Sequence, residues 1–240
     1  MKALLLAAGL GVRLRPVTDN IPKCLVPIQG RPLLGYWLRM LVEAGCHPLL
    51  VNTHYFADRV EDYIKVSGYQ EHVQTVYEAE LLGTGGTVLK NRGFFGNEPF
   101  MLIHADNFSV FDVRAFIARH KARPSGCEIT MMTYITPTPE TCGILGLDKQ
   151  GVVQAFYEKV KDPPGNLANG AVYILDPSVL AFLGNLKKST IDFSTEVLPH
   201  YLGRIYTFHN DVYHRDIGNI ESYQQALLEA DQRKDLFKVS

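Results

Sequence analysis

The chain begins with a short apolar run that leads directly into a glycine-containing loop. The run from Lys2 to Ala7 is apolar after its first residue and has the length of a strand, as expected for a strand buried on both faces of a parallel sheet. Gly9 and Gly11 follow at once, and glycine lets a ligand approach the backbone where a Cβ atom would collide. Successive backbone N–H groups in such a loop can bind an anion. The pattern therefore predicts a phosphate-binding loop after a buried strand.

Basic side chains follow the glycines. Arg13 and Arg15 lie two positions apart, and Lys23 comes after Pro22. The planar guanidinium group of arginine matches pairs of phosphate oxygens, and lysine adds a compact charge. The dinucleotide-binding fingerprint is excluded because its third glycine would stand where Leu14 does. The Walker A loop is excluded because the required Gly-Lys-Ser/Thr sequence is absent.

Apolar runs and helical periods alternate along the chain. In the first half, strands are predicted at residues 48–52, 72–77, 100–104 and 128–134, and helices at 32–45, 57–65, 85–91 and 113–122. In the second half, strands are predicted at 144–148, 152–157, 170–175 and 204–209, and helices at 178–183, 194–202 and 220–233. The alternation predicts an α/β sheet with crossover helices.

Composition narrows the class of protein. The 240 residues are enough for one sizeable core, and the net charge of −1 gives no basic excess of the kind that nucleic acids require. The four cysteines have no C-x-x-C spacing, which argues against a zinc site and favours a reducing cytoplasm. No apolar stretch is long enough to cross a membrane, and a cleaved signal peptide would remove the loop. The expected location is therefore cytoplasmic.

The segment from Gly9 to Pro32 resembles the signature of the sugar-1-phosphate nucleotidylyltransferases, which include mannose- and heptose-1-phosphate guanylyltransferases. It reads GLGVRLRPVTDNIPKCLVPIQGRP, and Cys24 departs from it where the family usually has proline or alanine. The resemblance implies a Rossmann-like three-layer α/β sandwich with a mixed, mostly parallel sheet, of the nucleotide-diphospho-sugar transferase type. It also implies a single domain over residues 1–240, with a nucleotide-binding half at about 1–135 and a sugar-binding half at about 136–240.

The resemblance assigns roles to residues in the nucleotide-binding half. Arg13 would hold the leaving pyrophosphate, and Lys23 would bridge the α-phosphate and the incoming group. The Leu82–Gly86 segment resembles the family's base loop, and Glu78 or Glu80 could contact the base or simply be solvated. The predicted nucleotide contacts are Leu6, Ala8, Gly9, Gly11, Val12, Gly83, Thr84 and Asp106.

Two aspartates are candidates for holding Mg²⁺. Asp106 ends an apolar strand, where ligands bind in open α/β sheets, and magnesium prefers one or two carboxylates together with phosphate oxygens and water. Asp106 corresponds to the family's metal-binding aspartate, although an N-cap or turn aspartate is the alternative. Asp216 resembles the family's second metal carboxylate in a D-I-G-T segment, here with Asn219 in place of threonine. Alternatively, Asp216 balances Arg215.

Residues that resemble the family's sugar-phosphate contacts are Asn107, Gly143, Glu158, Lys159 and Asn169. A Glu-Lys pair is otherwise a surface ion pair of little energetic consequence. Histidines that could act as bases are expected to pack or cap instead, because a sugar phosphate is already an anionic nucleophile; they are His54, His104, His209 and His214.

The implied reaction joins an NTP and a sugar 1-phosphate to give an NDP-sugar and pyrophosphate, with Mg²⁺ as cofactor. GTP is favoured as the nucleotide and a hexose or heptose as the sugar. A cytidylyltransferase for a phospho-alcohol or phosphonate is an alternative, and so is a non-catalytic regulatory subunit. No nucleic-acid or membrane partner is expected, and a homo-oligomer is left open.

Overall fold

A computed structural model describes residues 1–237 as thirteen strands and eight α-helices. The strands are β1 (Ala3–Leu6), β2 (Pro27–Ile28), β3 (Arg31–Pro32), β4 (Leu49–Thr53), β5 (Val73–Tyr77), β6 (Phe100–His104), β7 (Asn107–Val110), β8 (Ile129–Ile135), β9 (Gly143–Leu147), β10 (Val153–Glu158), β11 (Leu167–Leu175), β12 (Ile205–His209) and β13 (Tyr213–Asp216). The helices are α1 (Leu33–Glu43), α2 (Ala57–Val66), α3 (Gly83–Lys90), α4 (Arg92–Phe95), α5 (Val113–Lys121), α6 (Ser178–Asn185), α7 (Ile220–Gln232) and α8 (Lys234–Phe237).

The chain divides into two compact units, and each unit is built from several segments. The first unit contains residues 1–4, 81–103 and 112–211, and the second contains residues 5–80, 104–111 and 212–237. The second unit therefore combines segments from the first and the last third of the chain. The boundary near residue 135 and the single-domain assignment remain predictions.

The first unit is organised around β11. This strand pairs antiparallel with β6, β8 and β9, while β10 pairs antiparallel with β9 and β12 runs parallel to β8. A register shift lies in β11 between Asn169 and Tyr173. The first unit thus combines parallel and antiparallel strand pairs.

The second unit contains the carboxyl end of β1 followed by β4 and β5. Strands β4 and β5 are parallel, from Leu49 opposite Val73 to Thr53 opposite Tyr77. Two small antiparallel pairs, β2 with β3 and β7 with β13, complete the unit. Its core is formed by apolar side chains that are almost fully buried: Leu14, Val26, Ile28, Leu33, Tyr36, Phe108, Tyr213, Ile217, Ala226, Ala230 and Phe237.

The predicted α/β class with a mixed sheet and flanking helices is confirmed, but some predicted elements are wrong in detail. The helix predicted at residues 194–202 is a π-helical turn over Phe193–Val197 followed by a 3₁₀ turn over Leu198–Tyr201. Pro199 lies in this stretch and has no amide hydrogen to donate, so a regular α-helix is interrupted there. Helix α3 begins at Gly83 and not at residue 85. The two small antiparallel pairs were not predicted.

Every helix within residues 1–237 is too short or too polar to cross a membrane.

Candidate functional site

The predicted phosphate loop of the second unit is held at both of its ends. At its start, the backbone N–H of Ala7 donates a hydrogen bond to Oδ1 of Asn52, at 2.7 Å. Further along, Gly11 has a φ of +63°, and Thr18 Oγ1 donates to its carbonyl oxygen at 2.7 Å. A Cβ atom on Gly11 would lie 3.0 Å from Thr18 Cγ2. Gly11 is therefore required both by its backbone conformation and by the close approach of Thr18.

Asn52 and Thr18 were not predicted as part of this site. Asn52 is 3% exposed and Thr18 is 0% exposed. Asn52 follows three apolar residues, Leu49 to Val51, in a fully buried strand. This is the signal that could have identified Asn52, because a buried amide needs a hydrogen-bond partner.

The loop itself faces solvent. Gly9, Val12 and Arg13 are exposed, whereas Ala8 is buried. Leu14 is buried in the core of the second unit and anchors the turn that carries Arg13. Arg13 can therefore reach a ligand from a fixed backbone position. Leu6 and Gly11 are partly buried.

Lys23 lies between the two predicted metal carboxylates. Its Nζ atom is 2.7 Å from Oδ2 of Asp106 and 4.0 Å from Oδ1 of Asp216. The lysine side chain is 9% exposed, while those of Asp106 and Asp216 are 32% and 53% exposed. The structure thus brings together three predicted site residues that are far apart in sequence.

The pairing of β7 with β13 brings the two aspartates together. Asp216 lies opposite Asn107 in this antiparallel pair, next to Asp106 in sequence. The backbone carbonyl of Asn107 accepts a hydrogen bond from Trp37 Nε1 at 2.9 Å. Asn107, predicted to bind the sugar phosphate, is 6% exposed.

The charges around Lys23 act differently on the two carboxyl groups. Burial by itself raises the pKa of Asp106, but the adjacent Lys23 charge and its hydrogen bond outweigh burial, so the pKa is lowered. Burial also raises the pKa of Asp216, and Lys23 at 4.0 Å offsets this less, so the net pKa of Asp216 is raised. Asp106 is therefore the more firmly ionised of the two.

Side chains of β13 alternate between two environments. Tyr213 and Arg215 both contact Glu229 of α7: the tyrosine hydroxyl donates to Oε2 at 2.9 Å, and Arg215 Nε donates to the same atom at 2.8 Å. His214, on the other face, is hydrogen-bonded to Ser109 of β7. Arg215 therefore pairs with Glu229, so the alternative in which Asp216 merely balances Arg215 is not supported.

The turn after Asp216 is fixed to α7. The hydroxyl of Ser222 donates to the backbone carbonyl of Asp216. Asn219 caps the helix, because its Oδ1 accepts from the backbone N–H of Ser222 at 2.8 Å. The asparagine that replaces the family's threonine thus caps α7.

The predicted base loop belongs to the first unit, and its glycines pack against neighbouring chain. A Cβ atom on Gly83, where φ is +70°, would lie 2.6 Å from the backbone oxygen of Ile191, and one on Gly86 would lie 2.3 Å from that of Ser189. The backbone N–H of Gly85 donates to Ile191 O at 2.9 Å. Residues 189–193 therefore pack so closely against this loop that only glycine fits at Gly83 and Gly86. The sequence did not indicate this packing.

Thr84 is hydrogen-bonded to the same 189–193 segment. Its Oγ1 accepts a hydrogen bond from the backbone N–H of Phe193 at 2.8 Å. The predicted contact of Thr84 with a base remains a prediction.

The other predicted sugar-phosphate residues also lie in the first unit. Lys159 follows β10 and its Nζ is 3.3 Å from Oε1 of Glu158. A Cβ atom on Gly143 would lie 2.5 Å from Cε2 of Phe156 and 2.7 Å from Oε2 of Glu158, so the Phe156 ring leaves little room for any other residue there. Lys159 is a non-glycine residue with a φ of +51°, a conformation that costs free energy and is found mainly at functional positions and turns.

Asn169 supports the irregular part of β11. Its Oδ1 accepts from the backbone N–H of Ala171 at 2.9 Å, and its Nδ2 donates to the hydroxyl of Tyr173 at 2.7 Å. These bonds use one of the two acceptor sites of Oδ1 and one of the two N–H donors of Nδ2. The side-chain amide of Asn169 can therefore accept one further hydrogen bond and donate one.

Glu78 and Glu80 have different environments in the second unit. Glu80 is exposed, which agrees with the alternative that this side chain is simply solvated. Glu78 is only 1% exposed, so the same alternative is wrong for Glu78. Within residues 1–237, neither Glu78 Oε1 nor the neighbouring Thr53 Oγ1 has a hydrogen-bond partner. Glu78 follows β5 directly, at the carboxyl end of a parallel strand pair, where α/β proteins bind ligands.

Three of the four histidines that were not expected to act as bases make hydrogen bonds within the protein: His54, His209 and, through Ser109, His214. His54 Nδ1 is hydrogen-bonded to the carbonyl of Glu78 at 2.7 Å, and His209 Nδ1 lies 3.3 Å from Thr133 Oγ1. Burial and the adjacent Arg215 charge lower the pKa of His214 to about 3, so this imidazole is neutral at pH 7.

The donor set of the second unit suits magnesium. Two carboxylates, Asp106 and Asp216, converge on one positive charge, that of Lys23. Magnesium binds one or two protein carboxylates and takes its other ligands from water and phosphate oxygens. No group of three or more His, Cys, Asp or Glu side chains placed to hold a metal occurs within residues 1–237. The four cysteines are free.

Comparison with known proteins identifies a common family. The family model described as Nucleotidyl transferase matches residues 2–233. The catalytic subunit beta of mannose-1-phosphate guanylyltransferase from Drosophila pseudoobscura pseudoobscura is 32% identical over 202 residues, which is 82% of this chain and 53% of that protein. The chain thus spans about half the length of this relative.

Two crystal structures have similar folds. A putative glucose-1-phosphate thymidylyltransferase from Bacillus anthracis has a TM-score of 0.86 at 21% identity, covering 96% of this chain and 95% of that one. HddC from Yersinia pseudotuberculosis, complexed with GMP-PN, has a TM-score of 0.79 at 26% identity, covering 95% of this chain and 98% of that one.

Proposed function

Because this chain belongs to the nucleotidyl transferase family, we propose that it transfers a nucleotidyl group from an NTP to a sugar 1-phosphate and releases pyrophosphate. The placement of Lys23 beside Asp106 and Asp216 carries this proposal. In the reaction, an oxygen of the sugar phosphate attacks the α-phosphorus in line, and the bond to the leaving pyrophosphate breaks. Two polyanions must approach each other, so catalysis requires charge neutralisation and alignment.

The described residues can meet this requirement. Arg13 is exposed on a fixed loop and would stabilise the leaving pyrophosphate. Lys23 would bridge the α-phosphate and the incoming group, and Lys159 would position the sugar phosphate. Asp106 and Asp216 would hold Mg²⁺, which offsets negative charge on the reacting phosphates.

The proposed nucleotide is GTP and the proposed acceptor is a hexose or heptose 1-phosphate. The names of the Drosophila relative and of the GMP-PN complex support a guanine nucleotide. We assign the base contact to Glu78 in preference to the exposed Glu80, because the buried Glu78 Oε1 has no hydrogen-bond partner within residues 1–237. A carboxylate only accepts hydrogen bonds, and guanine presents two neighbouring donors, N1–H and the 2-amino group.

The test is a matrix of the four common NTPs and dTTP against hexose and heptose 1-phosphates, phosphocholine and a phosphonate, with Mg²⁺, scored by pyrophosphate release. Turnover with GTP and a sugar 1-phosphate supports the proposal. Turnover only with CTP and phosphocholine or a phosphonate would favour the cytidylyltransferase. Nucleotide binding without turnover for any acceptor would favour a regulatory subunit. The cytoplasmic location and the homo-oligomeric state remain predictions.

A further inference from the structure

We propose that Lys23 is an internal counter-cation of the metal site: in the nucleotide-free protein its ammonium group lies between Asp106 and Asp216 and competes with a divalent cation for them. The inference rests on the proposed function, because it takes these two aspartates as the metal carboxylates. It goes beyond that function because it gives Lys23 a role that opposes metal binding before the substrate arrives.

The geometry of Lys23 supports this role. Its Nζ atom is in direct contact with Asp106 at 2.7 Å and lies 4.0 Å from Asp216. Its side chain is only 9% exposed, so the ammonium group has little access to water as an alternative partner. A buried ammonium group is costly unless it is paired, and Asp106 is the partner in direct contact.

A divalent cation and the ammonium group cannot both hold their best positions. Magnesium binds carboxylate oxygens at about 2.0–2.1 Å, so an ion on both aspartates would lie within a few ångströms of the present position of Nζ. At that separation, in a partly buried site, the two positive charges repel strongly. Lys23 and the metal therefore compete for Asp106.

The triphosphate of a nucleotide provides the anion that would receive Lys23. Metal and nucleotide would then bind cooperatively, because each removes a charge conflict that opposes the other, and the coupling is reciprocal. In the free protein, one cation of the chain itself offsets part of the negative charge of the two carboxylates.

The experiment measures Mn²⁺ affinity in the absence of nucleotide, by electron paramagnetic resonance of the free ion. Lys23→Met and Lys23→Gln are each expected to bind Mn²⁺ at least about tenfold more tightly than the wild type, because one positive charge beside the ion is removed. Lys23→Arg keeps the charge and is expected to stay near the weak wild-type affinity. Adding Asp106→Asn to Lys23→Met should abolish the gain, which places the ion at this site.

Lys65→Met is the matched control. Lys65 also pairs with an aspartate of the second unit, Asp62, at 2.8 Å, but on the surface. It changes the net charge equally and should leave Mn²⁺ affinity unchanged.

Unchanged affinity in both neutral Lys23 variants would overturn the inference, even if the protein makes an NDP-sugar. Equal tightening in Lys23→Arg would also overturn it, because the charge would then not be the cause. Tighter Mn²⁺ binding in a protein without nucleotidyl transfer would support the inference while the proposed function fails.

Discussion

Asp216 lies directly opposite Asn107 in the antiparallel pair of β7 and β13. This register places a carboxylate from the end of β13 beside Asp106, which precedes β7. Lys23, from the turn after the phosphate loop, then contacts one carboxylate and lies near the other. The chemistry of the candidate site thus depends on a two-stranded pairing between segments more than a hundred residues apart.

Arg13→Ala is expected to lower kcat by about 10²-fold or more, because losses of groups that stabilise transition-state charge have effects of this size. Arg15→Ala is the control, since Arg15 is also exposed near the loop but pairs with Asp19 at 3.4 Å. Steady-state pyrophosphate release for both variants is the measurement. Near-normal turnover of Arg13→Ala would remove Arg13 from the mechanism.

Arg215→Met is expected to raise the Mg²⁺ concentration that gives half-maximal activity. Arg215 and Glu229 join β13 to α7 behind Asp216, so the variant should loosen that carboxylate. Removing one partner of a half-buried pair should also lower the free energy of unfolding by about 1–3 kcal/mol.

Arg204→Met separates the two effects. Arg204 pairs with Glu128 in the first unit and is 45% exposed. The Arg204→Met variant should have a slightly lower free energy of unfolding, and the Mg²⁺ concentration that gives half-maximal activity should stay unchanged. An unchanged Mg²⁺ requirement in Arg215→Met would show that the Arg215–Glu229 pair does not position Asp216.

Gly83→Ala is expected to lower the free energy of unfolding by about 2–4 kcal/mol, because it combines a positive φ with a Cβ atom 2.6 Å from the Ile191 carbonyl oxygen. Gly45→Ala is the control, since Gly45, just after α1, has a φ of +81° but open space around the added atom. Chemical denaturation of both variants measures the difference. Equal losses would mean that backbone strain alone, and not the 189–193 segment, requires Gly83.

His214 is expected to make stability depend on acid pH. Burial, aided by the charge of Arg215, lowers the pKa of His214 to about 3 in the folded state from an ordinary value of 6.5. Between these two pKa values, His214 is protonated in the unfolded chain but neutral in the folded protein. The free energy of unfolding is therefore unaffected by His214 above pH 6.5 and falls progressively as the pH is lowered from 6.5 towards 3. At pH 5 the loss is about 2 kcal/mol.

His214→Gln is the comparison for this pH dependence, because glutamine can still meet Ser109 but does not titrate. Urea denaturation at pH 7 and pH 5 should show a smaller loss in the variant than in the wild type. Equal losses in the two proteins would assign the acid sensitivity to other groups.

Sequence patterns predicted most strands and long helices because buried elements carry local apolar signals. Helix α2 and strand β6 match their predicted positions within one residue. Patterns did not predict that Asn52 holds the start of the loop, that Glu78 is buried, or that Gly83 and Gly86 pack against the 189–193 segment. Each of these depends on a neighbour distant in the chain, and single-sequence periodicity contains no information on which distant residue that is.

The sequence by itself determined the phosphate loop, its two arginines and Lys23, because glycine spacing and cation spacing are local properties of one continuous segment. It also indicated Asp106, since a carboxylate at the end of an apolar strand is visible without coordinates. Only the tertiary structure decided that Asp216 pairs across from Asn107 and that Lys23 lies between the two aspartates. Strand register and the burial of a charge are set by packing between distant segments, and these arise only when the chain has folded.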